Sequence, residues 1–309
     1  MRRALRQFVT IARLAATETI RSPFLAAALL AALLLAGVLP LLGYIALLEK
    51  RRLVTDSLLA LLLTGGSLSA MLAAVQSVGG DLRRRSAHLV LSKPVERGLW
   101  PAAKAVGVSA GLAPFWFCLA LAVLWGSRTA ADAYVIDDRA AGAFFVSLLA
   151  AIGLAALAGR RGRAFPAALA LAAPLCFTVG FLVLGQVGFR GMSGSGWQLI
   201  DWRLLPALVM AAPGIALAAA VASALALRGE PLGALLVGGL LFVLGLMTDY
   251  LFAGGVWRVL WVALPSWLPF WSPERANWPE VGRAAAYALL YGAALHTACG
   301  AAWARKDLP

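Results

Sequence analysis

The chain has 309 residues, of which 62% are apolar and 13% charged, and 27 basic residues against 14 acidic ones leave a formal charge of +13. A soluble domain has no interior large enough to bury that share of apolar side chains, so a soluble enzyme is excluded. The basic residues stand between apolar runs rather than on a hydrophilic module, which argues against nucleic acid as a partner and for the orientation of a chain in a bilayer.

In chain order, residues 1–23 predict an amphipathic helix. Leu5, Phe8, Val9, Ala12, Ala16 and Ile20 repeat at helical spacing, and Arg6, Thr10, Arg13, Thr17 and Arg21 form the opposite stripe. Such a helix lies in the headgroup layer, either as a lipid anchor or as an elbow that passes movement from a cytoplasmic partner to the first span. Ser22-Pro23 ends it, because a residue before proline avoids helical geometry. The apolar run that follows is too long for the core of a signal peptide and stays in the membrane. Within it Ala28, Ala32 and Ala36 would let a neighbouring helix come close.

Hydropathy predicts an all-α polytopic helix bundle of about eight spans, within a range of six to eight. They fall near 24–48, 57–79, 101–125, 140–158, 164–188, 205–227, 232–252 and 283–303. Eight spans put both termini on one side, and if that side is the cytoplasm the inner segments hold 17 of the 27 basic residues. Trp125, Trp197, Trp202, Trp257, Trp261, Trp267, Trp271 and Trp278 then gather at outer ends, where an indole straddles the interface. Pro174 and Pro213 are positions where a span can break. The whole of 1–309 reads as one transmembrane domain, and its abundance of Arg, Ala, Leu and Gly suggests a GC-rich bacterial coding bias.

Three segments are neither span nor simple turn. The inner connection, residues 79–107, carries Arg83, Arg84 and Arg85 opposite Leu82, Leu89 and Leu91, with Ser92-Lys93-Pro94 as a stop. It predicts a short helix, serving either topology and phospholipid contact or docking. The outer stretch 254–281 is too broken by Pro265, Pro269 and Pro273 to span, yet too rich in Trp for water. It predicts short interfacial or re-entrant helices, or a surface aromatic belt. The residues around 188–196 read as a flexible polar linker.

Reactive constellations do not emerge from the spacing. Neither G-x-S-x-G nor a phosphate-cradling G-x-x-x-x-G-K-[ST] loop occurs, and no zinc spacing joins the two histidines to Cys118, Cys176 and Cys299. The cysteines lie in apolar runs and read as packing residues. Asp56, Asp249 and His296 are the ionisable residues placed in or near spans, where a charge costs several kcal/mol, so Asp249 and His296 are intramembrane polar candidates. Snorkelling at the interface accounts equally for Asp249, and a hydrogen-bonded neutral ring for His296.

The run DLRRRSAHLVLSKPVERGLWPAAKAVG, Asp81 to Gly107, resembles the signature that follows the second span in permease subunits of type 2 ABC exporters. That signature is an acidic residue followed by L-S-x-P-x-x-R-x-x-x-x-x-x-K-x-x-G, and Leu91, Ser92, Pro94, Arg97, Lys104 and Gly107 match it. ETIRSPF (Glu18 to Phe24) and a closing WARKDL (Trp303 to Leu308) are also similar to that family. The family's basic unit has six spans where eight are expected here, and Glu stands where this chain has Asp81. The resemblance implies that 80–104 is a coupling segment docking on a cytoplasmic ATPase through Asp81, Arg83, Arg84, Arg85, Leu91, Ser92, Pro94, Arg97 and Lys104. It also implies that Trp257, Trp261, Trp267 and Trp271 belong to an outer gate. The chain itself would be no enzyme and would hold no cofactor, ATP and Mg being bound by the partner subunit. Its partners would be ABC ATPase subunits, a second permease copy or paralogue, and membrane lipids of the bacterial inner membrane. An ion-coupled secondary carrier and a non-transporting structural subunit are the alternatives.

Overall fold

The computed structural model describes residues 2–42, 49–83, 99–132, 134–188, 195–227, 230–251, 263–271 and 276–304. Every regular element among them is helical. In chain order these are α1 (Arg2–Ile20), α2 (Pro23–Leu42), α3 (Lys50–Arg83), α4 (Leu99–Gly111), α5 (Ala113–Thr129), α6 (Asp138–Arg160) and α7 (Phe165–Gln186). They are followed by α8 (Leu205–Ala226), α9 (Pro231–Leu246), α10 (Thr248–Leu251), α11 (Leu268–Trp271) and α12 (Trp278–Ala304), with short 3-10 turns at Gly196–Leu199 and Trp202–Leu204.

Six helical stretches among the described residues are long and apolar enough to cross a membrane: Pro23–Leu42, Lys50–Leu82, Leu99–Thr129, Asp138–Arg160, Phe165–Gln186 and Trp202–Ala226. The protein is therefore an all-α, multi-pass membrane protein. The expected span at 232–252 is corrected. Helix α9 has only 16 residues, about 24 Å at 1.5 Å per residue, short of a typical hydrocarbon core. Its end has a tertiary cause, since the Gly245 carbonyl is taken by the Trp267 N–H at 3.0 Å and by the Thr248 hydroxyl at 3.2 Å. The last expected span corresponds to α12, 27 residues long, whose apolar run is interrupted by Arg283, Tyr287, Tyr291 and His296.

Three boundaries also move. Helix α3 starts at Lys50 rather than near 57, helped by the Arg52–Asp56 pair at i,i+4 and by the Thr55 hydroxyl bonding back to the Arg51 carbonyl. The third expected span is two helices parted at Leu112. Pro114 cannot donate within the ladder there, while the Leu112 N–H still reaches the Val108 carbonyl at 3.0 Å. By contrast α7 and α8 run unbroken through Pro174 and Pro213. Neighbouring backbone adjusts to a proline within a packed membrane helix.

The chain divides into two compact units. One comprises residues 20–66 and 113–208, and its core is Trp125. The indole sits edge-on to Phe144 at 5.5 Å and to Phe177 at 5.9 Å, and donates to the Ala140 carbonyl at 2.7 Å. Glycines make the room: a Cβ at Gly180 would meet the Trp125 ring at 2.9 Å, and one at Gly37 the Phe144 ring at 2.8 Å. Trp125 is thus a core residue, correcting its expected place at the interface. Of the three alanines spaced along α2, Ala32 and Ala36 are buried and Ala28 is half-buried. Helices α6 and α7 form a hairpin whose turn carries Gly162 at φ +83°. A Gly162→Val variant is expected to lose about 1–3 kcal/mol in thermal unfolding, because a β-branched residue is strained in that left-handed conformation.

Near the start of α3, Lys50 is buried and donates to the Asp132 and Val135 carbonyls at 3.4 and 3.3 Å. The Asp132 carboxylate accepts from the Tyr134 and Val135 amides at 2.8 and 3.0 Å. These amides, assisted by Lys50 and opposed by desolvation, hold the Asp132 carboxyl below its ordinary pKa.

The other unit comprises residues 1–19, 67–112 and 209–309. Here Trp267 is fully buried, stacks edge-on to Phe242 at 5.2 Å and donates to the Gly214 carbonyl on α8 at 3.1 Å. A Cβ at Gly245 would collide with the Pro265 carbonyl, so close backbone approach requires glycine at this point.

Candidate functional site

The most developed polar site lies in the second unit, where α1, the end of α3 and α4 meet around Lys104. The lysine stem is anchored in apolar packing and its side chain is only 2% exposed. Its ammonium carries three donors, and each finds an oxygen: Asp81 Oδ2 at 2.8 Å, Glu18 Oε2 at 3.0 Å and Ser77 Oγ at 3.1 Å. Ser77 in turn donates to Glu18 Oε2 at 3.3 Å. One ammonium against two carboxylates leaves a negative charge in excess, tolerated because Glu18 and Asp81 keep 43% and 25% of their side chains in contact with solvent.

The backbone beneath this cluster is drawn tight. Gly107 and Gly111 form a G-x-x-x-G ridge on α4, one and two turns beyond Lys104. A Cβ at Gly107 would collide with the Ala12 carbonyl and stand 2.7 Å from Ala15 Cβ, and one at Gly111 would come within 2.7 Å of Thr19 Cβ. Small residues at this spacing let helices touch along their backbones. The contact is sealed by Ala15 and Thr19, both buried on α1.

Asp81 and Lys104, expected to share a coupling role, are thus brought together directly across the ends of α3 and α4. Glu18, which the sequence offered only as part of ETIRSPF, is the third member. Arg84, Arg85, Leu91, Ser92, Pro94 and Arg97 lie outside the described residues, as do Trp257 and Trp261, while Arg83 is described only in its helical backbone.

The remaining candidates do not join this site. Trp267 is interior, as described, and Trp271 on α11 is 39% exposed, so one belongs to the core and the other to the surface. Asp249 stands exposed in the single turn of α10. His296 is buried on α12 with Nε2 3.4 Å from the Ser223 hydroxyl of α8, an interhelical contact. Nearby the Ser266 N–H donates to the Tyr287 hydroxyl at 2.8 Å and the Tyr291 hydroxyl to the Ala263 carbonyl at 2.8 Å, tying the segment before α11 to α12.

A second polar node, which sequence reasoning missed, lies in the first unit. Arg128 is fully buried and Asp137 nearly so. Arg128 Nε bonds Asp137 Oδ2 at 3.0 Å, Nη2 bonds the Val187 carbonyl at 2.7 Å, and Nη1 bonds the Leu184 carbonyl. Asp137 also caps α6 by accepting from the Ala140 N–H. The node ties the ends of α5, α6 and α7, and its role is structural.

The fold and these sites define a class: a polytopic helical membrane protein with a buried lysine–carboxylate latch. Comparison of the chain with protein-family models, with curated proteins and with solved structures finds no match.

Proposed function

We propose that the chain is the membrane-spanning permease subunit of an ABC exporter of the type 2 class, acting in the bacterial inner membrane with both termini cytoplasmic. A separate cytoplasmic ATPase binds ATP and Mg and drives it, and a second permease copy or paralogue completes the pathway. The observation that carries this reading is the Lys104 latch. Asp81 precedes the 84–98 segment, Lys104 follows it, and the two are paired with each other and, through Lys104, with Glu18 of α1, so a push on that segment from the cytosol reaches three helices of one unit together. Such a rigid arrangement is what an ATP-biased two-state transporter requires at its coupling point. The match of Leu91, Ser92, Pro94, Arg97, Lys104 and Gly107 to the family signature adds to it.

The rival with a feature in its favour is an ion-coupled carrier, since the break at Leu112 interrupts a span and such carriers bind substrate at discontinuous helices. Against it, the backbone at that break keeps its hydrogen bonds to Val108 and Ser109. A tagged full-length chain in mild detergent is expected to retain an ATP-binding subunit. Arg97→Glu is expected to weaken that association about tenfold or more while membrane insertion persists, because a like charge set against a docking surface costs several kcal/mol. Copurification that never yields an ATPase, together with substrate uptake in proteoliposomes driven by an ion gradient alone, would overturn the exporter in favour of the carrier.

A further inference from the structure

One side of helix α1 packs against α4. Ala12, Ala15 and Thr19 face Gly107 and Gly111. Next around the helix come Leu5 and Val9, 66% and 54% exposed. Beyond them Arg6, Thr10, Arg13 and Thr17 form an exposed stripe, so the helix presents an apolar sector and a basic sector side by side.

The basic sector is built for anions. The Thr10 and Thr17 hydroxyls turn back onto the Arg6 and Leu14 carbonyls at 2.8 and 2.7 Å, which leaves the guanidinium groups as the free donors of the stripe. Among the described residues no carboxylate or carbonyl accepts from Arg6, Arg13 or Arg21. Glu18, the one acidic residue of α1, is held by Lys104 and Ser77 and so is drawn away from them. Arg6 and Arg13 are about 10 Å apart along the axis at 1.5 Å per residue, so each takes its own phosphate. The adjoining Leu5 and Val9 offer apolar surface beside them, and the chain passes through Ser22 into α2, which is long and apolar enough to cross a membrane.

We propose that α1 is a binding site for anionic phospholipid, in which Arg6 and Arg13 hold headgroup phosphates while Leu5 and Val9 meet the acyl chains. A free phosphate satisfies the arginines alone, whereas the paired apolar sector fits only a lipid.

The test uses the full-length chain in nanodiscs of phosphatidylcholine mixed with phosphatidylglycerol, counting the lipids that remain bound by native mass spectrometry. Preferential retention of phosphatidylglycerol is expected, weakened by salt and unaffected by excess inorganic phosphate. Arg6→Gln and Arg13→Gln should each lower that preference roughly fivefold, and the double variant should lose it. Replacing the same two arginines with Lys should keep most of it. The comparison variant Arg160→Gln/Arg161→Gln/Arg163→Gln should leave it intact. Equal retention of both lipids, displacement by inorganic phosphate, or an equal loss in the comparison variant would overturn the site. Lipid retention needs no ATPase, so failure here leaves the transport reading standing, and the reverse also holds.

Discussion

Replacing Arg128 with Gln is expected to lower the stability of the purified protein by about 3–5 kcal/mol, the usual consequence of removing one partner from a buried ion pair. The guanidinium serves Asp137, the Leu184 carbonyl and the Val187 carbonyl at once. Its loss leaves a buried carboxylate without its countercharge and the end of α7 without donors, and a Gln amide cannot span all three. A double variant, Arg128→Leu with Asp137→Ser, should recover part of the loss, since Ser still caps α6 and no charge remains buried. Thermal unfolding in detergent measures both. If Arg128→Gln unfolds within about 0.5 kcal/mol of the parent, the range of ordinary surface substitutions, the node contributes little and the account of it is wrong.

Lys104→Met should have the other large effect, of a different kind. Without the ammonium, Glu18 and Asp81 face one another and α1 loses its electrostatic tie to α4. The half-exposure of Glu18 brings the cost down to about 2–3 kcal/mol, below that of a fully buried pair. The more telling readout is local. Trypsin should cut at Arg6, Arg13 or Arg21 several times faster than in the parent, because α1 opens more often from α4. In the proposed complex with an ATPase, transport should fall while association is kept, the opposite of Arg97→Glu. Unchanged cleavage and transport would mean that the glycine ridge alone holds α1 and that the latch transmits nothing.

The helical, membrane-crossing character was legible because composition alone leaves a chain this apolar no other solvent, and α6, α7 and α8 begin and end within about two residues of their expected limits. What periodicity does not encode is tertiary competition for backbone groups. Helix α9 stops where Trp267 takes the Gly245 carbonyl, a contact across 22 positions. Trp125 and Trp267 read as interfacial because tryptophans usually are, yet each is enclosed by glycines and aromatic rings brought from elsewhere in the chain. For the latch, Asp81 and Lys104 came forward through family resemblance, and Gly107 with Gly111 was visible as a G-x-x-x-G pair that went unused. Arg128 and Asp137 left no such mark, because a charge beside a span reads the same whether it faces water or is drawn inward.

The close approach of α4 to α1 also sets an order of events during synthesis. Ala12 leaves the ribosome about a hundred residues before Gly107, roughly 5–20 s earlier at ordinary elongation rates. During that interval the groove that will receive the first helix does not yet exist, and the first helix must be kept from straying. Biogenesis of this protein therefore includes a waiting stage, in which its beginning is parked until a partner surface from its own later sequence arrives to claim it.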